Sequence, residues 1–162
     1  MRALSLVLAA ALSVTASAQV RPGIFGYLVQ GQNGTAGEFC HVFDCTVRPH
    51  AATAGETLRL TINAPLHAPF AIGISARATS CLPLPFAANM LVLDPPIATL
   101  AAGLVSQPSP ILACWGGTVS VPLPIPRGLP PGLWFATQAI CLMQTTTGYQ
   151  PAFSIAVGTT IR

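Results

Sequence analysis

Charge is the scarcest thing in this chain. Of 162 residues only 7% are Asp, Glu, Lys or Arg, and lysine is absent. With Arg2 set aside, six arginines face four acids, a net of about +2 that is too weak and too scattered to grip a phosphate backbone, so no nucleic-acid partner is expected. The four carboxylates are Glu38, Asp44, Glu56 and Asp94. They are dispersed among loops, whereas glycoside hydrolysis needs two held at a set separation. A serine-nucleophile elbow is missing too, because Gly73-Ile74-Ser75-Ala76-Arg77 lacks the second glycine. No segment keeps a 3.6-residue apolar period over three turns, and 16 prolines with 14 glycines argue against long helices. Low charge does not here mean disorder, since 52% of the residues are hydrophobic. Solubility falls to Thr, Ser, Asn and Gln.

The N-terminus carries an export signal. Met1-Arg2 is a short positive start, Ala3 to Val14 is small or apolar, and Ala16-Ser17-Ala18 has the small-x-small form of a cleavage site. Residues 1–18 are therefore expected to be removed, leaving 19–162 as a single domain in the secreted or periplasmic space. After that cut no proline-free apolar stretch is long enough for a membrane anchor.

The mature chain reads as strand and turn. Leu58, Leu60 and Ile62 alternate with Thr57, Arg59, Thr61 and Asn63, the period of two of a half-buried strand. Similar patterns run over Ile24–Gln30, Phe70–Ala76, Asn89–Asp94, Val119–Ile125, Leu133–Met143 and Phe153–Ile161, with Ala98–Ser106 a weaker one. Asn33-Gly34 suits a hairpin tip, and Thr145 to Gly148 a tight turn. Seven to nine short strands predict an all-β, antiparallel β-sandwich, Ig-like or jelly-roll-like. In Val119–Ile125 the prolines at 122 and 124, joined by Pro126, all remove donors from the same edge. That predicts an edge strand whose outer rim resists pairing.

Five cysteines in an exported chain pose a disulfide question. Cys40 and Cys45 enclose a short loop, and Cys81 and Cys114 both lie beside Pro or Gly, so loop placement favours Cys40–Cys45 and Cys81–Cys114. Spacing alone does not determine connectivity. Cys141, between Ile140 and Leu142, reads as a buried free thiol. Cys40, His41, Cys45 and His50, with His67, form the one candidate metal cluster. Cys40 and His41 point apart in an extended chain, and the spacing matches no common zinc pattern, so neither metal nor other cofactor is expected. Aromatic recognition is the remaining chemistry. Taking Leu133, Phe135, Thr137, Ala139 and Cys141 as the core face puts Trp134 and Gln138 outside, and with Trp115 and Tyr149 they are the candidate contacts for a protein or glycan at the cell surface; because both faces are apolar, the competing expectation is that a loop covers Trp134.

The runs GETLRLTINAP, APFAIGIS, CLPLP, MLVLDPP and S-x-P-L-P-I-P-x-G-L-P-P-G-L, with Gln138 in the next strand, carry a resemblance. Over Pro49 to Ile161 the chain resembles short secreted β-sandwich domains that recur among planctomycete-type bacterial exported proteins. The resemblance implies the fold and export, and supplies no mechanism. The expectation is an exported, non-catalytic domain with a binding or assembly role, against two alternatives, a carbohydrate-binding module and a small secreted hydrolase.

Overall fold

In the computed structural model, residues 24–40, 44–109, 114–146 and 148–162 are described. The expected signal segment and His41 lie outside them. Among the described residues there is no helix, and twelve strands build two five-stranded sheets and a small two-stranded one. These are β1 (Gly26–Gly31), β2 (Gly34–Glu38), β3 (Arg48–Ala52), β4 (Thr57–Ala64), β5 (Pro69–Ser75), β6 (Leu82–Pro83), β7 (Met90–Leu91), β8 (Ala98–Leu104), β9 (Gln107–Pro108), β10 (Gly117–Pro124), β11 (Trp134–Thr145) and β12 (Gly148–Ile161).

The first sheet runs β2-β1-β4-β10-β9 and the second β3-β12-β11-β5-β8. Their inner faces meet in one core. Leu58, Leu60 and Ile62 of β4 are buried against Ile72, Ala139, Cys141, Ile155 and Val157 of the facing sheet. Tyr27 crosses between the layers, its hydroxyl donating to Thr137 Oγ1 at 2.8 Å, and burial pushes its phenol pKa upward. The fold is therefore the all-β sandwich that the alternation predicts. All ladders are antiparallel except β3–β12, which is parallel.

The differences from expectation are local. The hairpin tip is Gln32-Asn33 rather than Asn33-Gly34, because Gly31 pairs with Gly34, which takes a φ of 116° and opens β2. Arg48–Ala52, for which no strand was expected, forms β3, an edge strand that tolerates Pro49. Phe153 lies on the face opposite Ile155 and Val157, although strict alternation would put all three together. The ladder between β11 and β12 slips between Gln138 and Ile140, so three steps on β12 match two on β11 and the facing alternates from there.

The outer face of the second sheet is not left to solvent. The connection from β5 to β8, residues 76–97, folds back across it. Ala78, Val92 and Leu93 of that flap pack on Ala136 and Ala156, forming a second small core with Val47, Leu91 and Trp134 at its margin. Asp94 ties the flap to itself. Its Oδ2 accepts the N–H and hydroxyl of Thr79 at 2.9 and 2.8 Å, and Oδ1 accepts the Ser80 hydroxyl. These bonds lower the carboxyl pKa to about 2, Ser80 contributing most.

β10 is not the terminal strand that its prolines led one to expect, because β9 lies beyond it on the side away from β4. Ile125 N–H donates to Glu56 O at 2.8 Å, so the odd-numbered donors of this segment point at β4. Positions 122, 124 and 126 therefore point away from it, and all three are proline. β9 pairs only with Gly117 and Thr118, before the first of these prolines, and the rest of the rim carries no partner strand among the described residues.

Candidate functional site

Where β10 ends, the two sheets stand apart and leave a cleft of about 440 Å³. One wall is Leu123, Pro124, Ile125 and Pro126 with Leu129; the other is Ile74, Leu133, Trp134 and Phe135, and Pro96 and Ala98 close the side. Each wall arises from local sequence. The prolines end pairing on the β10 rim, and the LPPGL turn carries the chain across to β11 on the opposite layer. In all, the lining contributes one hydroxyl, Ser75 Oγ, and it is already engaged, donating to Asp94 O at 2.5 Å. Among the described residues no ionisable side chain lines the cleft. Its lining is that of an apolar receptacle.

The four candidate contact residues are not brought together. Trp134 is half-buried and lies on Gly158, where a Cβ would sit 2.8 Å from the indole Cζ2. Trp115 donates its Nε1–H to Ile24 O at 2.5 Å and packs on the main core. Gln138, expected outside, is only 3% exposed. Its Nε2 donates to Met90 O at 3.0 Å and Ser154 O at 2.8 Å, and its Oε1 accepts Val92 N–H at 3.0 Å. The reason is the flap: its Met90 carbonyl and Val92 N–H need partners beneath it, and a carboxamide offers donors and an acceptor together. Tyr149 is 69% exposed, beside Leu66, His67 and Leu142. Of the four, Trp134 alone lines the apolar cleft.

The carboxylates are held by structural partners. Glu56 is buried; its Oε1 accepts Thr53 N–H at 2.7 Å and its Oε2 accepts Gln32 N–H at 2.9 Å, joining the β3–β4 turn to the β1–β2 hairpin. Its context after a turn glycine gives no hint of this role. Arg48 pairs with Glu38 at 2.7 Å and with Asp44 at 3.2 Å. His50 Nε2 lies 3.3 Å from Gly34 O, and among the described residues no three His, Cys, Asp or Glu side chains converge on one point.

The disulfides correct the pairing favoured by loop placement. Cys40 bonds Cys114 and Cys45 bonds Cys81, with Cα separations of 5.6 and 5.5 Å. Cys40 and Cys45 do not bond each other; Cys40 is tied to the approach to β10 and Cys45 to the flap. Cys141 is free and buried among core side chains, and desolvation pushes its thiol up to about 12.

Fold and site together define a disulfide-bonded β-sandwich with an apolar cleft between its layers. No helix of the described residues is long and apolar enough to cross a membrane. No protein-family model matches the chain, and no curated protein does. Among solved structures it is similar to a cellulose-active polysaccharide monooxygenase from M. thermophila, at 12% identity and a TM-score of 0.45, over 88% of this chain and 78% of that one.

Proposed function

We propose that this chain is an exported, non-catalytic binding domain that works outside the cytoplasm and takes the apolar part of a small ligand into the cleft beneath Pro124, Pro126 and Trp134. The observation that carries this reading is the lining: about 440 Å³ of concavity with hydrophobic walls, one engaged hydroxyl and no ionisable group. That volume falls within the roughly 300–1,000 Å³ of small-molecule sites, which are mostly apolar and largely preformed. Two disulfides support an oxidising compartment, as does the signal-peptide pattern of residues 1–18. The resemblance to planctomycete-type exported sandwich domains belongs to the same proposal.

The carbohydrate-binding alternative has less to rest on. A sugar platform needs aromatic faces aligned in the open, and here Trp115 and Trp134 are packed down while Tyr149 stands alone. The hydrolase alternative would have to free Glu56 or Asp94 from backbone and hydroxyl partners that hold them in place. Amide chemical-shift mapping separates the readings. A single-tailed amphiphile below its micelle concentration should shift residues 123–126 and 133–135. A soluble β-glucan oligosaccharide should leave the spectrum unchanged. Shifts confined to the Tyr149 region with the oligosaccharide would overturn the proposal.

A further inference from the structure

Each sheet has two edges, and three of the four are guarded. The first sheet ends on the two-residue β9, which carries Pro108, and past it the β10 rim is stripped of donors by Pro122 and Pro124. The β2 edge is short and bent by Gly34 and Gly37, both at positive φ. β3 carries Pro49, and the Arg48–Glu38 ion pair closes its corner against β2. The fourth edge is β8, the last strand of the second sheet. From Ile97 to Gln107 it has neither a proline nor a charge. A long, uncharged, proline-free edge is what soluble proteins ordinarily avoid.

β8 has two parts. Near its start the ladder with β5 slips between Ile72 and Gly73, leaving Leu100 as an extra residue. Beyond the slip the strand is regular. Val105 N–H donates to Ala68 O at 3.0 Å and Val105 O accepts from His67 N–H at 2.7 Å, so Val105, Gly103 and Ala101 face β5 with their backbone groups. By alternation those of Ala102 and Leu104 face outward. No strand meets them among the described residues. The side chain of Leu104 is 55% exposed. Its ladder partner Pro69 borders a hollow shared with Leu66, His67, Leu142, Gln144 and the exposed Tyr149, so a corner of mixed polarity adjoins the free edge.

We propose that two copies of this chain pair antiparallel through β8, about a two-fold axis at Gly103, making one continuous sheet from the two second sheets. The strand is self-complementary in that register. Ala102 of one copy exchanges backbone hydrogen bonds with Leu104 of the other, and the reverse, so a large side chain always meets a small one. At the axis glycine meets glycine, at the closest approach of a non-bonded pair. Neither β8 strand brings a charge to repel its mate. The pairing is isologous and closes at two copies, so it does not propagate into fibres. This inference is independent of the cleft and of what fills it.

Sedimentation equilibrium of the purified protein over a concentration series, with two variants, tests it. Ala102→Pro removes an outward donor that makes no bond to β5, and should leave a monomer. Ala102→Lys keeps the donor but sets two cations across the seam, and should raise the dimer dissociation constant at least tenfold. It also keeps the test open should the proline variant fail to fold. A parent that is monomeric at every concentration would overturn the proposal, as would a dimer that Ala102→Lys leaves unchanged.

Discussion

Gln138 and Val92 are 46 positions apart, yet the carboxamide Oε1 of the first accepts the backbone N–H of the second at 3.0 Å. With the bonds from Nε2 to Met90 and Ser154, one side chain fastens a connection to the sheet beneath it. Gln138→Ala leaves two carbonyls and an N–H without that partner. The variant should lose roughly 2–4 kcal/mol in urea unfolding, given the cost of buried unpaired polar groups. Amide exchange should quicken first in residues 90–93. A loss below about 0.5 kcal/mol would show that the flap holds by apolar packing alone.

A second expectation concerns acid. Because the folded-state pKa of Asp94 lies below its unfolded value, its contribution is fully present above the ordinary carboxylate range. It fades as pH falls through about 2. The flap should therefore loosen between about pH 4 and pH 2, and Asp94→Asn should remove that part of the pH dependence. A parallel acid slope in the variant and the parent would assign the transition to other carboxylates.

Thiol chemistry gives a third. Non-reduced peptide mapping should recover Cys40 with Cys114 and Cys45 with Cys81. Cys141, buried and with its thiol pushed up to about 12, should resist alkylation until the protein unfolds. A linked Cys141, or one that reacts readily in the folded state, would contradict the pairing or the packing.

The prolines of β10 give a fourth. Pro122→Thr with Pro124→Thr restores two donors on the open rim without touching Val121 or Leu123. The double variant should fold and self-associate more readily than the parent, visible by light scattering. Unchanged association would mean that something other than the missing donors protects this edge.

These cases also show what the sequence makes legible. Alternation in Thr57–Ala64 and the proline spacing in Val119–Ile125 are short-range signals, and both correspond to the strands formed. The places where expectation fails depend on distant partners. Gln138 on an apparently outer face is buried because a flap from 76–97 lies over it. β3 exists because β12 offers it a parallel partner. The cysteine pairing depends on which loops end up adjacent, which proximity along the chain does not encode. The cleft is invisible to strand-by-strand reading, since its walls come from both layers; the proline-rich 122–131 run flanking an aromatic pair, Trp134-Phe135, is the signal that could raise it.

Isothermal titration of the purified protein with a single-tailed amphiphile, beside the variant Leu133→Glu, tests the central claim most directly. Leu133 lines the cleft and is 40% exposed, so a carboxylate there should alter the cleft without opening the core. The account predicts saturable binding at one site per chain in the parent, weakened at least tenfold in the variant. Equal affinity in the two proteins, or no binding in the parent, would contradict it.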